Sequence, residues 1–302
     1  MQRIETISQF HHHLGLPNPR HPLISVLDIA SVPPMRRSSP VTMLLNFYAI
    51  SVKRMQNVKV KYGQQPFDFN EGVMSFMAPR QVITMAVNDP QEAVNNSGWA
   101  VYVHPDFMWN THLAGTIRKY DFWDYALHEA LFLSAAEEDT MTAIIGNIDR
   151  ETKNSIDRFS KPIVISQIET LLNYADRFYQ RQFVTRERLN HQILDRLDRL
   201  LNDYLTGEEV IDNGVPTVQY VADQLHLSPG YLSNVLRTLT GQNTQQHIHD
   251  RLIAHASERL STTDLPVSEI AYALGFRHLP SFSKLFKAKT RLSPLQFRKS
   301  FN

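Results

Sequence analysis

The feature that most constrains this chain is an apolar stripe that occurs twice. Val218, Val221, Ala222 and Leu225 stand at i, i+3, i+4 and i+7; Val267, Ile270, Ala271 and Leu274 repeat the stripe 49 positions later. That spacing places each set on one face of a helix. A second stripe follows each first one: Leu232, Val235 and Leu236, then Phe282, Leu285 and Phe286. The chain therefore encodes a helix, a short turn and a second helix, and then encodes the unit again. A helix-turn-helix offers its second helix to the DNA major groove. Two in tandem suit a reader of two neighbouring groove segments.

The turns carry the right residue types. Thr217 and Ser228 stand where N-caps are needed, with Pro229 at the first position of the next helix. Thr240-Gly241 suits a helix stop, because glycine accepts the left-handed backbone there. A long helix from Thr244 to Leu260, with Ile248, Leu252, Ala256 and Leu260 on one side, joins the two units. Pro266 introduces the second scaffold helix and Gly275-Phe276 its turn. The second recognition helix is expected over Pro280–Lys289, and Ser293-Pro294 starts a last short helix. With the apolar stripes inward, Gly230, Ser233, Asn234 and Arg237 point outward from the first recognition helix. Ser281, Ser283, Lys284 and Lys287 do so from the second. These eight are the candidate DNA-binding residues, for base edges and phosphates.

Charge agrees. The net charge of the 302 residues is +1, yet Gly214–Asn302 holds ten Lys/Arg against five Asp/Glu, and Met1–Asn213 holds 21 against 25. A basic segment joined to a mildly acidic one fits a phosphate-binding module tethered to something else. With no cysteine in the chain, disulfides and thiolate metal sites are excluded. The N-terminus lacks the apolar core of a signal peptide. No apolar run approaches the ~20 residues of a membrane helix. A cytoplasmic location is expected.

The texture from Leu23 to about Leu133 is β. Short apolar segments (Ile24–Ile29, Val41–Tyr48, Val58–Tyr62, Val73–Met77, Val82–Val87, Trp99–His104) alternate with turn residues, a spacing that suggests a barrel or jelly roll. Residues 1 to about 20 read as a polar arm with one short helix, Phe107–Tyr120 as an inserted helix and Ala126–Leu133 as a closing strand. Ser134-Ala-Ala-Glu137 is a capping box that should start a helix. Two amphipathic helices, near Ser166–Gln182 and Thr185–Leu205, read as an antiparallel pair suited to dimerisation. The expected organisation is a barrel over 1–165, the helical pair over 166–206, a linker over 207–214 and the DNA-binding unit over 215–302. The fold class is α+β and multidomain.

SPGYLSNVLRTLTGQN, RLIAHASERL and VSEIAYALGFRHLPSFSKLFKAKTRLSPLQFR resemble the AraC-type transcription regulators over roughly residues 215–300. The resemblance implies a seven-helix domain with two recognition helices in successive major-groove segments. It also implies a cupin-like N-terminal barrel that binds a small effector such as a sugar or metabolite, a homodimer, promoter DNA as target and contact with RNA polymerase. Two features depart from the family pattern. Asn234 stands where relatives commonly carry arginine and Gly230 offers no side chain, while Leu279-Pro280 replaces residues that are often polar. Base readout would then rest on Ser233 and Asn234, with Arg237 on a phosphate.

Weaker candidates for an effector site are Arg36, Arg37, Tyr48, Tyr62, Trp99 and Tyr102, for anionic or stacking contacts. Trp99 and Tyr102 stand at odd spacing and so face opposite sides of their strand. His11-His12-His13 reads as a solvated arm rather than a metal site, and His104, His112 and His128 lie on unlike elements. No catalytic residue, metal or cofactor is expected. The alternatives are a regulator whose barrel is only a dimerisation platform, and a cupin-type metalloenzyme fused to a DNA-binding domain.

Overall fold

The computed structural model describes residues 2–33, 41–55, 60–62, 65–67, 72–85, 96–154 and 157–301. The chain divides into two compact units, Met1–Gln182 and Phe183–Asn302. The N-terminal unit runs through β1 (Gln2–Ile4), α1 (Ile7–His13), β2 (Ile24–Asp28), β3 (Val41–Leu45), β4 (Tyr48–Met55), β5 (Val60–Tyr62) and β6 (Gln65–Phe67). It continues through β7 (Val73–Met77), β8 (Val82–Met85), β9 (Asn96–Val103), α2 (His112–Thr116), β10 (Leu131–Phe132) and α3 (Ala135–Lys153), and ends at Gln182 within α4 (Ser160–Thr185), whose last turn belongs to the C-terminal unit.

Its strands form a five-stranded sheet in the order β10-β7-β4-β9-β2, a three-stranded sheet β1-β3-β8 and the hairpin β5-β6. Among the described residues no pairing closes these sheets into the expected barrel. What holds is the coarser architecture, sheets first and helices last. In the large sheet the register puts Ile24, Tyr48, Ile50, Val52, Met74, Phe76, Val101 and Val103 on one face. Helix α3 packs across β2, β4 and β9 and buries Met141, Ile144, Ile145 and Ile148. Burying each such side chain stabilises by about 1.5–3 kcal/mol. The expected capping box is formed: Ser134 Oγ accepts from the Glu137 N–H, and Glu137 Oε2 accepts from the Ser134 N–H. Glu137 also pairs with Arg181 of α4 at 2.6 Å.

Three expectations for this unit are corrected. The N-terminal segment is not a polar arm. β1 pairs in parallel with β3, and Ile4, Ile7 and Phe10 are buried with Met43, Leu45 and Phe47. A capping box at Thr6 and Gln9 starts α1. His11 is accordingly buried, with Nδ1 2.7 Å from the Pro17 carbonyl and Nε2 2.8 Å from Ser25 Oγ. Phe107–Tyr120 is broken into α2 flanked by single 3-10 turns, and the closing strand shrinks to the two residues of β10.

The C-terminal unit consists of α5 (Glu187–Thr206), α6 (Glu209–Asn213), α7 (Val218–Leu225), α8 (Pro229–Thr240), α9 (Thr244–Thr262), α10 (Val267–Ala273), α11 (Leu279–Thr290) and α12 (Pro294–Lys299). One apolar core runs through them. It takes both stripes of each repeat apart from Val235, with Ile248, Leu252, Ala256 and Leu260 of α9, and also Leu197, Leu201, Tyr204 and Leu205 of α5 and Val210 of α6. This differs from the expected organisation. Helix α5 packs on α7, α8 and α9, so Leu197, Leu201, Tyr204 and Leu205 of its apolar face are covered inside the unit, while Ile193, Leu194 and Leu200 are partly buried. Residues 207–214 are no plain linker either. Val210 is 1% exposed, Tyr220 donates to Glu209 at 2.9 Å and Tyr204 donates to the Gly214 carbonyl at 2.9 Å.

Gly275 has a reason beyond its bend. Its φ is +82°, and a Cβ there would stand 2.6 Å from the Gly214 carbonyl carbon and 2.8 Å from the Val210 carbonyl oxygen. Replacement therefore meets both backbone strain and backbone collision. Gly275→Ala should lower the urea-unfolding stability of the C-terminal unit by about 2 kcal/mol or more, whereas Ser134→Ala should cost the N-terminal unit about 1 kcal/mol through loss of its cap. Equal effects of the two would contradict this account.

Candidate nucleic-acid interface

The first helix-turn-helix is α7 and α8. Thr217 Oγ1 accepts from the Tyr220 N–H, and Ser228 Oγ from the Tyr231 N–H. His226 closes α7 in the left-handed region at φ +58°, and Gly241 closes α8 at +75°. In the second, α10 and α11, Pro266 is the N-cap of α10. Phe276 stacks edge-on against Phe282 at 5.3 Å, as expected for a turn residue plugging the core. The expected helix boundaries hold to within two residues here.

Helix α9 sets the relation of α8 to α11. Asp250 accepts from Gln242, just past α8, at 2.9 Å, and pairs with Lys289 of α11 at 2.5 Å. Arg251 reaches Asp198 of α5 at 2.6 Å. In the last turn region, Arg298 of α12 donates to the Leu265 carbonyl at 2.6 Å. These bonds lie outside the apolar seam, and those of Asp250 limit rotation of one repeat against the other.

The eight candidate residues divide into two sets. Arg237 on α8 and Ser281, Lys284 and Lys287 on α11 are exposed, while Gly230, Ser233 and Ser283 are half-buried. Asn234 is the correction. It is 8% exposed, and its Oδ1 accepts from Arg237 Nη1 at 2.8 Å. Ser233 is also engaged, its hydroxyl 2.9 Å from Thr244 Oγ1. The stripe argument treats α8 as covered on one side only. In the structure Tyr231 is buried as well, its ring 5.3 Å from that of Phe183, so the covered arc of α8 is wider than the stripe. The bulk of Tyr231, beside the stripe, is the sequence signal for that. On the second repeat, Arg277 and His278 are exposed directly before α11; a cation ahead of a recognition helix is the sequence signal that points to them.

Of the weaker candidates, Arg36 and Arg37 lie outside the described residues, and of Tyr62 only its place in β5 is described. Tyr48 is buried and packs edge-on against Trp123 at 4.8 Å, which makes it a core residue. Trp99 and Tyr102 do fall on opposite sheet faces. Among the described residues no three His, Cys, Asp or Glu side chains gather as a metal site, and no helix there is long and apolar enough to cross a membrane.

Two presented helices, four exposed polar or cationic side chains and a rigid spacer define a DNA-binding protein of the tandem helix-turn-helix class. Comparison with known proteins agrees. A family model described as a helix-turn-helix domain matches residues 221–300. The regulatory protein SoxS of Salmonella typhimurium is 31% identical over 91 residues, which are 30% of this chain and 84% of SoxS. The arabinose operon regulatory protein of the same organism is 30% identical over 141 residues, 47% of each chain. An uncharacterised helix-turn-helix regulator of Escherichia coli, YijO, is 30% identical over 138 residues, 45% of each. The chain belongs to the AraC-type family of transcription regulators, a family of regulators and not of enzymes. It spans less than half the length of YijO and of the arabinose regulator.

Burial lowers the pKa of His247, His249 and His255, all on α9, below 6.5. A histidine with a depressed folded pKa binds its proton more readily when unfolded, so its contribution is complete above about pH 6.5 and is lost as pH falls below that value. The melting temperature of the C-terminal unit should drop between pH 7 and pH 5, and His247→Gln should flatten the slope. A profile unchanged by that substitution would count against the assignment. In DNA titrations, Lys284→Ala and Lys287→Ala should each weaken binding to all sequences alike and reduce the salt slope by about one.

Proposed function

We propose that the protein is a sequence-specific, promoter-binding transcription regulator, read out through α8 and α11 and controlled by a small molecule held in the N-terminal unit. The observation that carries the reading is the tandem repeat itself, two recognition helices on one core with cations exposed on both. In this reading Arg237, Lys284 and Lys287 meet phosphates, and Ser281 and Ser283 lie nearest to base edges. Gly230 lets the α8 backbone approach the groove closely, and Ser233 follows beside it. Asn234 serves by orienting Arg237 rather than by reading adenine. The DNA-binding unit then starts in α5 rather than at residue 215. Homodimerisation and contact with RNA polymerase remain proposals that rest on the family alone. An effector acts only by favouring one arrangement of the chain over another.

Selection of bound duplexes from a random pool, with full-length protein, tests this. A site with two specified segments about one helical turn apart is the expected outcome. Asn234→Ala should weaken binding without changing the selected bases. Recovery of no sequence preference, only salt-sensitive binding, would overturn the reading.

A further inference from the structure

The two recognition helices are unequal in what they can offer a base. On α8 the polar groups are committed within the C-terminal unit. Ser233 Oγ lies 2.9 Å from Thr244 Oγ1, Asn234 accepts from Arg237 at 2.8 Å, and Thr238 Oγ1 donates to the Asn234 carbonyl at 2.9 Å. The first turn of α8 adds only Pro229 and Gly230, because Tyr231 is buried. Direct readout needs a side chain at a base edge, so it falls mainly on α11.

Helix α11 sorts its residues by side. Phe282 and Phe286 are buried, and Leu279 and Leu285 pack against the same core. Pro280, Ser281, Lys284 and Lys287 are exposed. Pro280, Lys284 and Lys287 stand at i, i+4 and i+7 and so form one line along the outer side. The step from Pro280 to Lys287 covers about 10 Å of helix, close to the ~12 Å width of the major groove. A recognition helix brings its N-terminal residues to the base edges. With Lys287 at a phosphate on one wall of the groove, Pro280 in the first turn faces the bases themselves.

What Pro280 can do there is narrow. It has no N–H to donate, and its side chain is a ring of methylenes without a polar atom. The ring holds its shape, so ordering it on DNA costs no rotamer freedom. Its fixed φ also suits the first turn of a helix, which helps α11 begin although His278, the N-cap, makes no side-chain cap hydrogen bond. The major-groove edges of the base pairs carry donors and acceptors and one apolar substituent, the C5-methyl of thymine. Over the polar groups of another base the ring would leave a donor or acceptor unpaired. Over thymine it meets a methyl.

We propose that Pro280 is a specificity-determining residue that selects thymine in the DNA segment read by α11, by packing its ring on the 5-methyl group. The inference rests on the reading of α11 as a helix that enters the major groove, and it adds which base that helix demands and through which atoms.

The test uses the full chain and the duplex it selects from a random pool. Each thymine of that duplex is replaced in turn by deoxyuridine, which keeps the pairing and the polar groups and lacks only the methyl. One thymine, or two adjacent ones, in one of the two segments should lose about fourfold in affinity on replacement, as expected for burial of one methyl group. Pro280→Ser should bind the thymine and deoxyuridine duplexes alike at that position. Pro280→Ala, with one methyl in place of the ring, should reduce the difference without abolishing it. Both variants should keep the base preferences of the other segment. Helical content and melting temperature check that each variant folds; should Pro280→Ser not fold, Pro280→Ala decides. A selected site that needs no thymine in either segment, no loss with deoxyuridine at any position, or a loss unchanged in the folded variants would overturn the inference. A chain that selects a sequence but is indifferent to the thymine methyl loses this inference and keeps the regulator reading. A chain that selects no sequence loses both.

Discussion

The C-terminal unit depends on the burial of one side of α9. Ile248, Leu252, Ala256 and Leu260 are each no more than 2% exposed, and they face both helix-turn-helix repeats at once. Helices as short as α7, α8, α10 and α11 are marginal in isolation and depend on tertiary packing of their apolar faces. The seam joins them into one core, and the Asp250 bonds to Gln242 and Lys289 set the rotation that hydrophobic contact leaves loose. Recognition of two groove segments needs this rigidity, because a half-turn of slack between α8 and α11 would place them against different faces of a duplex.

The same core explains why α5 belongs with the DNA-binding helices. Its apolar side, Leu197, Leu201, Tyr204 and Leu205, closes the end of the core that α7, α8 and α9 leave open. An amphipathic helix with a dense charged face reads equally well as a dimer contact and as the outer layer of a neighbouring domain. Periodicity reports that a face is buried and says nothing about what buries it. That ambiguity produced the expected helical pair over 166–206. It is also why residues 207–214, polar and rich in glycine, read as a linker although Val210 is anchored in the core.

Legibility followed local chemistry closely. Caps at Thr217, Ser228 and Ser134, the left-handed stop at Gly241 and the bend at Gly275 are each a single residue acting on its own few neighbours, and all stand where the residues imply. The capping box at Thr6 and Gln9 is an equally local signal, set in a segment whose composition is polar. Its burial depends on β3, some forty residues away, which no local pattern announces. Asn234 failed for a related reason. Its place on the far side of the stripe was right, but exposure also depends on Tyr231, Phe183 and Arg237 around it.

The sequence by itself determined the tandem helix-turn-helix, its turns and caps, the basic bias of the C-terminal part and the order of sheets before helices. These are consequences of residue spacing and backbone preference, which act over a few positions along the chain. Tertiary structure alone decided that the strands form separate open sheets among the described residues, that α5 and α6 join the DNA-binding core, that Asn234 is held by Arg237, and that Tyr102 packs against Phe10 and Phe47. Each of these turns on which distant surface covers a given side chain, and burial of that kind is a property of the packed whole rather than of any segment.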